Sequence, residues 1–169
     1  MSIVLFRHRA IFILIVAMGF LKAHGNSDLN NYFVSLKQLD YLGAKAQLKE
    51  ITDIALKEEC QLLADLIYFS GQQEIEFIDK NFKKNTETYL IHRLSKGYHI
   101  LFSNRYTSEP FKYFREVYEG SVLLKNEELT KFSLLSLIQV SNYEILRSKK
   151  GTTKYLEYYK KISIDNEDL

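Results

Sequence analysis

Apolar residues recur along this chain at intervals of three and four, with polar residues between them, and that period is the signature of helices with one inward stripe. Ser27 or Asp28 can cap a first helix over 29–38, whose Tyr32, Phe33 and Leu36 share a face. A second helix is predicted from just after Asp40 to about Leu56. It turns Leu42, Ala44, Leu48, Ile51 and Ala55 inward and Lys45, Lys49, Glu50 and Asp53 outward. Lys57 to Phe69 carries a broad apolar face and stops at Ser70-Gly71, a helix-end signal. The stretch "QQEIEFIDKNFKK" predicts another arm, with Ile75, Phe77, Ile78 and Phe82 apolar and lysines at its C-terminal end to meet the helix dipole.

The second half of the chain repeats the theme. Thr86 is placed to cap a long helix that runs through Leu90, Leu94, Tyr98 and Leu101 to Ser103-Asn104. Helix resumes at Pro110, a residue suited to a first turn, with Phe111, Phe114, Val117, Tyr118 and Val122 along it. A further helix begins after Asn126, with Glu127 and Glu128 in its first turn, and ends at "SKKG", where Gly151 permits a left-handed turn. A last arm, "KYLEYYKKI", precedes an acidic tail at 165–169.

Turns therefore fall near Asp40, Gly71, Asn104 and Gly151, spaced by 31, 33 and 47 residues. The first two spacings lie close to the roughly 34 residues of a tetratricopeptide repeat. The stretch "LDYLGAKAQLKEI" resembles the second half of such a unit. Asp40-Tyr41 matches the turn pair, Ala44 the small residue where helices cross, and Leu48 and Ile51 the inner positions that follow. Gly71 stands at the next turn, and Ala64 and Gly97 hold small positions on first helices. Glu76 departs from the pattern, no unit ends in the customary proline, and the final unit is too long. The resemblance implies an all-α fold of about four antiparallel hairpins stacked as a right-handed α-solenoid over 26–164. An irregular helical bundle with the same helices is the alternative.

The N-terminus changes the picture of where this protein works. Arg7 and Arg9 precede an apolar run from Ala10 to Leu21, and Ala23-His24-Gly25 supplies small residues at a cleavage point. That order is a secretory signal peptide over 1–25, cut after Gly25, and the apolar run falls short of the roughly 20 residues of a spanning helix. A retained N-terminal anchor is the alternative. Cleavage removes Arg7, Arg9 and Lys22 and no carboxylate, so the formal charge moves from +2 to −1. The remaining near-neutral domain offers no net attraction for nucleic acid. Cys60 is the only cysteine, which excludes an intramolecular disulfide; among its apolar neighbours it reads as a buried thiol.

Candidate chemistry is sparse. His92 and His99 lie seven residues apart on one helix face, roughly 10 Å from each other, too far to share a metal. No phosphate loop, nucleophile elbow or His-Glu-x-x-His motif occurs. The pairs Glu58-Glu59 and Glu127-Glu128 read as helix-start charges. The 12 Tyr and 11 Phe read as core residues or as anchors for a protein partner. The expectation is an exported protein of the periplasm or the exterior that binds a peptide or partner protein, with no catalysis, metal or cofactor. In the resembling family the first helices of each pair line a concave groove, which implies Glu59, Asp65, Arg93 and Lys96 as exposed partner-binding residues. Two rivals stand beside this expectation: the exported sensory portion of a bacterial signalling protein, and a bundle that carries an apolar ligand among its aromatic side chains.

Overall fold

The computed structural model describes residues 28–69, 75–103, 109–144 and 157. Among them the protein is all-α, with no strand and six helices: α1 (Asp28–Lys37), α2 (Tyr41–Gln47), α3 (Ile54–Phe69), α4 (Glu87–Ser103), α5 (Glu109–Leu123) and α6 (Glu127–Glu144). None of these helices is long and apolar enough to cross a membrane. The expectations for 1–25, for the turns at Gly71, Asn104 and Gly151, for the last arm apart from Glu157, and for the 165–169 tail lie outside the described residues.

Local chemistry sets the helix boundaries. Leu39 adopts φ 56° after α1 and Lys125 φ 55° after α5. In each case the next residue closes the helix by donating its amide back five positions, Asp40 to Ser35 O and Asn126 to Ser121 O, both at 3.0 Å. The same two residues then open the next helix. Asp40 Oδ1 accepts from the Gly43 amide at 2.8 Å, and Asn126 Oδ1 from the Leu129 amide at 3.0 Å. Thr86 Oγ1 caps α4 in the same way, accepting from the Tyr89 amide at 3.2 Å.

Two expected helices differ. The helix expected from Asp40 to Leu56 ends at Gln47, where the Lys49 and Glu50 amides turn to three-residue bonds with Ala46 O and Gln47 O, and Asp53 then caps α3 by accepting from the Leu56 amide at 3.0 Å. Ala44, Leu48 and Ile51 are buried as expected, whereas Leu42 is 77% exposed on the outer side of the short α2. The arm expected over 72–84 forms no helix in its described part, residues 75–84. The Lys80 amide donates to His92 Nε2 at 3.1 Å instead of to a helical carbonyl, and Phe77 stacks on the rings of His92 and His99 at 5.0 and 5.5 Å. Long-range aromatic and imidazole contacts outweigh the local helical preference of this segment.

Consecutive helices pack on one another, and α1 also packs on α6. Phe33 meets Phe132 with ring centroids 5.3 Å apart, and Lys37 forms a buried ion pair with Glu128. Every residue of α6 from Glu128 to Val140 is buried. Three of its buried polar side chains find partners within the helix: Ser133 Oγ donates to Thr130 O, Ser136 Oγ to Phe132 O, and Lys131 pairs with Glu127 and Glu128. Gly97 faces the Phe114 ring, where a Cβ would overlap it, so α4 and α5 approach more closely there than any larger residue permits.

Candidate functional site

α4 lies between α3 and α5 and presents a different chemistry to each. Toward α3 it carries His92, 1% exposed, whose Nδ1 lies 2.9 Å from Oε2 of the fully buried Glu59. The Lys80 amide donates to Nε2, so Nδ1 bears the ring proton and donates to Glu59. Asp79 Oδ1 lies 3.3 Å from the same Nε2, and Lys96 pairs with the other oxygen of Asp79. Lys80 Nζ completes the cluster 2.9 Å from Glu59 Oε1.

Burial acts to raise the Glu59 pKa, but its contacts with His92 and Lys80 outweigh burial and hold the carboxyl below its ordinary value. Asp79 is lowered chiefly by Lys96, and Lys80 is raised by Glu59. The imidazole thus has both nitrogens engaged. Cys60, the neighbouring thiol, is fully buried, and burial pushes its pKa up, which makes it a poor nucleophile. Among the described residues no group of three or more His, Cys, Asp or Glu side chains is placed to hold a metal ion. What this cluster can do is pin the irregular segment 75–83 against α3 and α4.

Toward α5 the same helix opens a groove of about 800 Å³. Tyr89 and Arg93, one turn apart on α4, form one wall, with Lys84 just before the helix. Phe111, Lys112, Arg115, Glu116 and Glu119 follow one another along a single face of α5 as the other wall. Arg93 donates through Nε and Nη2 to Glu116 Oε2 at 2.8 and 2.6 Å, and the Tyr89 hydroxyl bonds the other oxygen of Glu116. Burial acts to raise the Glu116 pKa, but Tyr89 and Arg93 prevail and the group is held below its ordinary value. The Arg93 guanidinium also lies 4.3 Å from the centre of the Tyr113 ring, a cation–π contact. The groove wall is therefore held rigid by Arg93 while its outer residues, Lys112, Arg115 and Glu119, stand in solvent.

The four residues implied as partner-binding do not share one exposed surface. Glu59 is fully buried in the His92 cluster, a correction to the expectation that it faces outward; the helix that holds it starts at Ile54, so Glu59 is mid-helix on the inner face. Lys96, 21% exposed, belongs to the rim of the same cluster through Asp79. Asp65 is half-buried at another place, accepting from Tyr41 Oη at 3.0 Å and Gln61 Nε2 at 2.7 Å. Arg93 alone lines the groove. The groove residues of α5 escaped notice because Lys112, Arg115, Glu116 and Glu119 read as an ordinary solvated face; the i, i+4 pair Arg115–Glu119 is the one local signal.

No family model, no curated protein and no solved structure matches this chain.

Proposed function

We propose that this chain is an exported helical module that binds another protein in the groove between α4 and α5, without catalysis, after removal of residues 1–25. The observation that carries the reading is the groove itself: an open cleft with Tyr89 and Phe111 in its walls and an arginine fixed in place, the residue types that supply binding energy at protein interfaces. Its charged lining disfavours the apolar-ligand reading, since a carried hydrocarbon would desolvate those groups without pairing them.

The arrangement of helices that goes with this reading is a closed bundle rather than an open stack of hairpins. Contact between α1 and α6, through Phe33–Phe132 and Lys37–Glu128, supports it, because a linear stack packs each unit against its neighbours and keeps its first and last elements apart. Closure covers α6 and leaves the α4–α5 seam to receive a partner.

The test is affinity purification of the tagged protein from its native cell, with mass spectrometry of eluted proteins and extracted lipids, beside a groove-filling Glu119→Trp variant of unchanged circular dichroism. A stoichiometric cell-envelope protein that is lost with Glu119→Trp is the expected result. A bound lipid with no protein, or a protein retained equally by the variant, contradicts the reading.

A further inference from the structure

The groove is cationic beyond its internal pairs. Four cations, Lys84, Arg93, Lys112 and Arg115, face two carboxylates, Glu116 and Glu119. Arg93 is committed to Glu116, and Arg115 lies 2.8 Å from Glu119. Among the described residues Lys84 and Lys112 form no ion pair; Lys112 Nζ lies 5.7 Å from the Tyr113 ring centre, and its charge acts at longer range on Glu116, which Arg93 already holds. Both lysines are exposed. The excess is local, because the chain without residues 1–25 carries a formal charge of −1.

We infer that the occupant of this groove is an acidic segment of a partner protein that carries an aromatic or aliphatic anchor, an inference that rests on the protein-binding reading above. Lys84 and Lys112 supply charge for two separated carboxylates of the segment. Tyr89 and Phe111, each half-buried, supply the apolar wall for its anchor. A nucleic acid or an anionic membrane surface presents dense, unbroken negative charge, and Glu116 in the groove wall with Glu119 on its rim would oppose it. Discrete carboxylates on a peptide can be spaced to avoid both.

The test titrates the protein lacking residues 1–25 with a fluorescein-labelled peptide of repeating Asp-Phe-Glu-Ser, read by anisotropy. A counterpart with Lys at each acidic position, phosphatidylglycerol vesicles and an oligothymidylate serve as competing probes. The acidic peptide is expected to bind with an affinity that falls as salt rises, and the double variant Lys84→Glu/Lys112→Glu is expected to weaken it at least tenfold. Binding of the Lys peptide to the same extent, binding of neither peptide, or a preference for vesicles or oligonucleotide overturns the inference. The two readings fail separately: if Glu119→Trp abolishes capture of the cellular partner while Lys84→Glu/Lys112→Glu leaves capture unchanged, the groove binds a protein and only the acidic class is wrong, whereas capture retained by Glu119→Trp contradicts protein binding in the groove itself.

Discussion

At the scale of single residues, His92 is the most consequential side chain, because it holds a buried carboxylate on one nitrogen and a backbone amide on the other. Replacing it with alanine leaves Glu59 in an apolar setting with Lys80 as its remaining partner. A buried charge that loses a partner costs about 3–5 kcal/mol, and Lys80, being 41% exposed, offsets part of that. His92→Ala is therefore expected to lower the unfolding free energy by about 3 kcal/mol, measured by urea denaturation. The same cluster sets a pH dependence. Glu59 and Asp79 have folded pKa values below their ordinary ones, so unfolding takes up protons as the solution is acidified. Their stabilisation is complete above the ordinary carboxyl range near about 4 and is lost as pH falls through the depressed folded values. Asp79, 61% exposed, contributes the smaller share because solvent screens it. A urea midpoint that falls between pH 5 and pH 3 (about one unit either side of an ordinary carboxyl), with a shallower fall in Glu59→Gln, is the expected result; equal slopes would remove Glu59 from the account. None of this was legible in the sequence. Glu58-Glu59 has the look of a helix-start pair, and the segment that supplies Asp79 and Lys80 reads as an amphipathic arm, so the partners are joined only by tertiary structure.

At the scale of elements, legibility followed the caps. Thr86 and Asn126 were readable as helix starts because a short polar side chain precedes an apolar periodic run, and both bond the expected amides. Asp53 bonds in the same way but lies inside a continuous apolar period, so its capping role was masked and the boundary between the two helices read as lying at Leu56–Lys57 instead of before Ile54. The small residues were legible as points of close approach, and Gly97 proves the point physically against Phe114. A methyl group there must displace a fully buried ring. Gly97→Ala gains up to about 1 kcal/mol of helix propensity but overpacks the α4–α5 seam at a cost of about 1–3 kcal/mol. The net expectation is destabilisation by about 1–2 kcal/mol, seen as a lower thermal midpoint. A midpoint at or above that of the parent would mean that the two helices separate freely at this seam, and the groove beside it would lose its rigid wall.

At the scale of the whole molecule, the helical class was legible from period and composition, but the packing of α1 on α6 was not. Contact between α1 and α6 depends on Lys37 meeting Glu128 across 91 residues of chain, and no local pattern announces it. Nor does the sequence mark α6 as central: Lys131, Ser133, Ser136 and Gln139 read as polar-face residues, yet all are buried because neighbours surround the helix, and the first three are satisfied by its own glutamates and carbonyls. With that face covered, the α4–α5 groove becomes the candidate meeting place with a partner. The most direct test is photo-crosslinking in the native cell, with benzoylphenylalanine in place of Lys112 on the groove rim and, as a control, in place of Lys45 on the exposed side of α2. The account predicts one dominant crosslinked protein from position 112 and none from position 45. No crosslink from position 112, or the same products from both positions, would contradict it.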